Sequence, residues 1–261
     1  MSDKQSIKER LYAACRSGDQ QTLAELFQEL DIGPEQPRHQ GQIDQSLPEE
    51  QQPPTVEELL NSAIMGEQID MVKLLFSIFP GLSFDQGPLG LAARTNNIQL
   101  VEAMCKLDPD ASNGSYCYLT LIAYACQGPE SAGVVSALLK GGADPNKRPE
   151  HMLPFSNANY AVTGEMPASI FEEFFDHGYR FDDNCAVRTA VSWNRPDVLE
   201  VLFRRGGRLP TARFDSKEEL IKLAMENDNV DMVDMINRVY PGQSKKRGFV
   251  KTIARILGFT S

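Results

Sequence analysis

Gly87–Met104 reads GPLGLAARTNNIQLVEAM, and the fold follows from this stretch. Pro88 suits a first helical position, where its missing N–H has no intrahelical partner to lose and its φ is already helical. Leu89, Ala92 and Ala93 then form one narrow apolar stripe, with alanine small enough to admit a neighbouring helix at close range. Thr95, Asn96 and Asn97 interrupt the run, and Leu100, Val101 and Met104 begin a second stripe at helical spacing. Two short helices with so little apolar surface cannot close a core alone, so a unit of this kind must stack on copies of itself.

The copies are present. Placing Ala14 on Ala92 brings Leu11 onto Leu89, Gly18 onto Asn96, Leu23 onto Val101 and Leu26 onto Met104 without a gap. Ala63 does the same for Leu60, Val72 and Leu75, Ala190 for Val187, Leu199 and Leu202, and Ala224 for Ile221, Val233 and Ile236. Three of these copies carry a capping box at the same offset, eight residues before the key alanine: Ser6 with Glu9, Thr55 with Glu58, and Ser216 with Glu219. Two further copies, keyed on Ala125 and Ala161, require one extra residue. It falls in the turn beside Pro129 or Pro167, where an insertion costs least.

Successive key alanines are separated by 49, 29, 33, 36, 29 and 34 residues. This period near 33, together with GPLGLAA, TLIAYA and GGADPN, resembles the ankyrin repeat. GPLGLAA stands where that family has a T-P-L-H-x-A-A pattern, and Gly142–Asn146 matches the family's turn after its second helix. The resemblance covers residues 6–240 as seven copies. It departs from the family at the histidine of the first-helix motif, replaced by Tyr12, Asn61, Gly90, Ala123, Arg188 and Lys222, so that histidine's hydrogen bonds must be replaced or lost. The reading is therefore an all-α solenoid of stacked helix-turn-helix units with short hairpin-like fingers, spanning residues 1–242. The first interval contains a Gln-, Pro- and Glu-rich insertion at 31–54 without apolar period, expected to be a disordered loop.

Composition sets the class. The 261 residues are 41% hydrophobic and 24% charged, enough for a large folded body. The hydrophilic opening MSDKQSIKER lacks the apolar core of a signal peptide, and no later run has the length of a membrane span. Five cysteines, an odd number with no C-x-x-C pair, indicate neither a disulfide framework nor a zinc ribbon, and a cytoplasmic or nuclear setting is expected. The formal charge is −10, but residues 245–261 hold five basic side chains and no acidic one, leaving −15 on the remainder. A body so acidic would repel phosphates, so no nucleic-acid partner is expected.

Few residues suggest chemistry. Cys15 and Cys126 fall at or beside small core positions and read as packed thiols. Cys185 opens a first helix but has no activating base nearby. His39 lies in the insertion, His151 in a linker and His177 at the end of a second helix, and their spacing with Cys185 matches no metal-ligand pattern. No phosphate loop, G-x-S-x-G or H-E-x-x-H occurs. Asp108 and Asp110 lack the glycine and distal glutamate of a calcium loop. The sequence thus predicts no catalytic residue, no cofactor and no metal, and the resemblance to ankyrin repeats implies a protein-binding scaffold, expected to be monomeric.

The resemblance implies where a partner would sit: on the first-helix ends and the fingers before them, which in ankyrin repeats line a concave face. Trp193 occupies the position equivalent to Thr95 and reads as a candidate anchor, with packing against the next repeat as the alternative. Arg94, Arg188 and Tyr118 point to the same face by the same argument. Arg204, Arg205 and Arg208 cluster where a second helix ends, complementing its dipole or capturing an acidic partner. In the tail, Phe249, Ile253, Ile256 and Leu257 share one helical face, with Lys251 and Arg255 off it. Residues 243–261 are read as a terminal cap, an anionic-membrane contact that would make the chain peripheral to a membrane, or, through Lys245–Arg247, an import signal.

Overall fold

The structure, a computed structural model, describes residues 6–33, 54–84, 87–148, 155–182, 184–206 and 214–240. His39, His151, Arg208, the tail from 241 and all of the insertion but its edges lie outside the described residues. The described residues form seven helix pairs, grouped into two compact units, Met1–Arg180 and Phe181–Ser261.

The first unit holds α1 (Ile7–Ser17) with α2 (Gln20–Glu29), α3 (Val56–Met65) with α4 (Ile69–Ile78), and α5 (Pro88–Thr95) with α6 (Ile98–Leu107). It continues through α7 (Leu121–Ala125) with α8 (Ala132–Lys140) and α9 (Asn157–Thr163) with α10 (Ala168–Asp176). The second unit holds α11 (Asn184–Ser192) with α12 (Pro196–Gly206) and α13 (Lys217–Glu226) with α14 (Val230–Val239). First helices pack in succession, α1 on α3, α3 on α5, α5 on α7 and α7 on α9, and second helices do so from α4 to α10. Within the second unit α11 packs on α13 and α12 on α14.

All seven key alanines, Ala14, Ala63, Ala92, Ala125, Ala161, Ala190 and Ala224, are buried. The turn is equally regular. Four residues after the key alanine the backbone is left-handed at Gly18, Glu67, Asn96, Glu165, Asn194 and Asp228, which reverses the chain between helices. In the five gapless copies the second helix starts six residues after the key alanine; in the copies keyed on Ala125 and Ala161 it starts seven after, at Ala132 and Ala168. The extra residue lies in the turn, as expected. At Pro129 it is accommodated by a 3₁₀ turn, Pro129–Ser131, in place of the left-handed residue.

The three expected capping boxes form, each with the hydroxyl accepting from the N3 backbone and the glutamate accepting from the cap backbone. The fingers are less regular than expected. Among the described residues only β1 (Ser115–Tyr116) and β2 (Leu119–Thr120) pair as strands. Elsewhere side-chain amides do the stitching. Asn113 donates to the Gly142 carbonyl at 2.9 Å and accepts from the Asp144 N–H at 2.8 Å; one repeat on, Asn146 donates to Gly178 at 3.0 Å and accepts from Arg180 at 2.8 Å. An amide that bonds both ways to a neighbouring backbone acts as one ladder rung without needing a strand.

Candidate functional site

In the first unit the candidate surface is built on the β1–β2 hairpin. Ser115 faces Thr120 and Tyr116 faces Leu119, leaving Cys117 and Tyr118 as the two turn residues with φ of 50° and 66°. Two positive φ values in a two-residue loop match the right-handed twist of the strands, but a side chain there costs roughly 1–2 kcal/mol per residue. The turn presents Tyr118, 79% exposed, at its tip.

Tyr116 anchors the hairpin on the first helices. Its ring meets Tyr124 of α7 edge to face at 4.7 Å between centroids. Its other seat is Gly90 of α5, where a Cβ would come within 2.3 Å of the ring. This explains one absent histidine: only a residue without a side chain leaves room for the tyrosine. Burial, then the proximity of Tyr116, pushes the Tyr124 phenol above its usual range, with Arg94 close enough to oppose that rise. Arg94 stands in the last turn of α5, exposed, with its guanidinium 3.8 Å from the Met65 sulfur of the preceding repeat. Tyr118, Tyr116, Tyr124, Arg94 and the 40%-exposed Met65 are thus held by consecutive repeats of this unit.

Behind this hairpin lies a buried polar junction that sequence reasoning missed. Thr120 caps α7 by accepting from the Ala123 N–H and donates its own hydroxyl to Oδ1 of fully buried Asn157. The Asn157 amide donates in turn to the carbonyls of Pro145 and Lys147 at 3.1 and 3.0 Å. The motif hydroxyl is satisfied by the next repeat rather than by a histidine of its own. Asn157 stands where a helix-start residue is ordinarily polar and solvated, and nothing in its spacing marked it as buried.

In the second unit Arg188 of α11 is half-exposed, and its guanidinium pairs with the Asp215 carboxylate. Asp215 also accepts from the Asn184 amide at 2.9 Å, and its N–H returns a bond to Asn184 at 3.2 Å. Arg188 therefore presents a charge already engaged. Trp193 directly follows the same helix, its backbone N–H donating to the Thr189 carbonyl at 2.8 Å, and the left-handed Asn194 turns the chain after it. The residue is 50% exposed, so it is not fully packed between repeats. The turn beyond it is fixed by Arg195, which donates two bonds to Asp197 at 3.0 and 2.8 Å. Burial acts to raise the Asp197 carboxyl, but the Arg195 bonds and charge prevail and hold it low.

Three of the five cysteines are packed in the core. Burial pushes the Cys15 thiol up to about 12, the Cys105 thiol up to about 11 and the Cys126 thiol further, keeping all three protonated. His177 follows α10 as its C-cap, and Arg204 and Arg205 occupy the last turn of α12. Among the described residues no group of His, Cys, Asp and Glu is placed to hold a metal ion, and no helix is long and apolar enough to cross a membrane.

Among solved structures, the ankyrin repeat domain of Bcl-3 superposes with a TM-score of 0.61, covering 87% of this chain and 97% of that one at 19% identity. The chain has the ankyrin-repeat fold. The human ASB11 ankyrin repeat domain is similar at a TM-score of 0.52, covering 71% of this chain and 85% of that one at 17% identity. An ankyrin repeat protein from Leishmania major gives 0.51, with 90% and 82% covered, also at 17% identity. No protein-family model matches the sequence, and no curated protein matches it. The likeness to other ankyrin-repeat structures lies in the backbone path.

Proposed function

We propose that this chain is a non-catalytic scaffold that binds a partner protein through the hairpin and first-helix ends of its ankyrin repeats. Tyr118 and Arg94 act in the first unit, and Trp193 and Arg188 in the second. The reading is carried by Tyr118, held 79% exposed on a turn whose backbone is costly for any side chain. Strain of this kind persists where the surroundings over-determine it and clusters at functional positions. Tyrosine, tryptophan and arginine are also the residue types that concentrate binding energy at protein interfaces. Arg188 contributes by exchanging part of its pairing with Asp215 for a partner carboxylate, and Trp193 by burying its exposed half.

A photo-crosslinking residue placed at Tyr118 or Trp193 tests this directly. Both positions should capture the same discrete protein in the native cell, while a probe at Lys73, on the exposed side of α4, should not. Capture from Lys73 with silence at Tyr118 and Trp193 would remove the proposal.

A further inference from the structure

Among the described residues, the seventh repeat leaves open an apolar face that the other six bury. One residue after the key alanine, the slot is at most 6% exposed in six copies, from Cys15 to Val191, and 66% exposed at Met225 in the seventh. Three residues before the key alanine, the slot is buried from Leu11 to Val187 and partly exposed at Ile221. Nine residues after it, or ten in the two copies with the extra residue, the second-helix slot is buried from Leu23 to Leu199 and partly exposed at Val233. Within each unit the helices of the following repeat pack here, as α13 does on α11 and α14 on α12. An array that ends in water makes its outer face polar. That change is present at one slot of the seventh repeat: exposed Asn237 stands where the other six copies carry Phe, Cys or Leu. Ile221, Met225 and Val233 remain apolar, and Val230, 75% exposed, extends them along α14.

We infer that this face receives a basic amphipathic helix of a partner protein, at a site separate from the Tyr118 and Trp193 surface. Its form selects a helix. Ile221 and Met225 stand one turn apart on α13, Val230 and Val233 one turn apart on α14, and the two helices pack side by side, so an apolar stripe at i, i+3, i+4 and i+7 can lie along them. Charge selects a basic one. Residues 215–240 hold seven acidic and three basic side chains, and two of the basic ones are engaged: Arg238 with Glu200 and Lys222 with Glu226. Glu218 lies one turn before Ile221, and Asp234 one turn after Val230. Both are exposed beside the apolar positions, and no cation among the described residues pairs with either. Carboxylates placed in this way attract lysine and arginine and repel an acidic partner or an anionic lipid surface. A second copy meeting this face about a two-fold axis would set the same acidic residues against one another, so the chain is a poor partner for itself here. Met225, unbranched and polarizable, can adapt to the stripe that arrives.

The probe is a synthetic helix of about 14 residues with leucine on one face and lysine on the other. It should bind the full-length chain in the micromolar range, and a scrambled peptide of the same composition and a leucine–glutamate analogue should each bind at least about tenfold more weakly. Met225→Asp and Val233→Asp should each weaken the leucine–lysine peptide by about tenfold or more at unchanged helicity, since neither side chain is buried in the free chain. Glu218→Lys combined with Asp234→Lys should also weaken it and flatten its salt dependence. Peroxide footprinting locates the contact: Met225 should oxidise readily in the free chain while buried Met232 resists, and saturating peptide should shield Met225. No binding, equal binding of all three peptides, or binding indifferent to Met225→Asp would overturn the inference. Met225 already shielded before peptide is added would also overturn it. Shielding independent of protein concentration would assign the face to residues 241–261, and shielding that grows with concentration alongside a doubled mass would assign it to a second copy. Tyr118→Ala and Trp193→Ala should leave the peptide affinity unchanged, so this inference and the proposed function fail separately.

Discussion

Thr120 donates its hydroxyl to Oδ1 of buried Asn157 at 2.5 Å, so the cap of α7 in one repeat is completed by the first turn of α9 in the next. The same asparagine holds the carbonyls of Pro145 and Lys147, fixing the turn that follows α8. Asn157→Ala would leave the buried Thr120 hydroxyl and the Pro145 and Lys147 carbonyls without these bonds. We expect a loss of about 2–3 kcal/mol, read as a lower urea midpoint with an unchanged slope. Asn157→Asp should be at least as damaging, since a carboxylate cannot donate to either carbonyl.

Close backbone approach makes a second site intolerant of change. A Cβ on Gly66 would lie 2.0 Å from the Arg16 carbonyl oxygen, although its φ of −86° suits any residue. Gly66→Ala should therefore push α1 and α3 apart and cost about 1–3 kcal/mol. Gly81, with nothing within 4 Å, is the matched control, and Gly81→Ala should leave the thermal midpoint unchanged or raise it slightly.

The thiols should separate cleanly under a water-soluble maleimide at pH 7.5. Cys117, exposed on the hairpin turn, should react first, followed by partly exposed Cys185. Cys15, Cys105 and Cys126 should react only after denaturation, because they are buried and their thiolates are disfavoured. Rapid modification of any of these three in the native protein would contradict the packing of the first five repeats.

The last capping box gives a pH dependence. The Ser216 N–H, then the Ser216 hydroxyl, hold the Glu219 carboxyl below its usual value in the folded protein. A carboxyl lowered by folding contributes stability above its unfolded pKa, and loses it as pH falls through the folded value. Ser216→Ala should thus destabilise α13 at pH 7, and the gap between variant and parent should narrow as the pH is lowered through the Glu219 titration, leaving the part that comes from the hydroxyl accepting the Glu219 N–H. A gap that stays constant to pH 2 would mean that the glutamate contributes nothing through its charge.

Much of the fold was legible in residues 6–240, and the reason is periodicity. Small residues recur at Ala14, Ala63, Ala92, Ala190 and Ala224 because first helices approach closely there. The capping boxes mark helix starts independently, and Pro129 and Pro167 mark the turns that absorb an extra residue. Contacts between repeats were not legible. Period shows which face a residue occupies but not which side chain of the next copy it meets, so Arg188 with Asp215, Tyr116 on Gly90 and Thr120 with Asn157 went unseen. SYCYLT alternates as a hairpin should, and that was the one available hint of Tyr116. The exposure of Trp193 was undecidable for the same reason, depending on what the neighbouring repeat places against it.

The central claim is that the hairpin and first-helix ends hold a partner protein while the buried repeats supply only the frame. It is tested most directly by measuring the affinity of the protein captured at Tyr118 for purified full-length Trp193→Ala and Tyr118→Ala, each checked for unchanged helicity. Exposed aromatic anchors of this kind contribute about 2 kcal/mol or more, so each variant should bind roughly 30-fold more weakly at unchanged fold. Affinities equal to that of the parent in both variants would contradict the account.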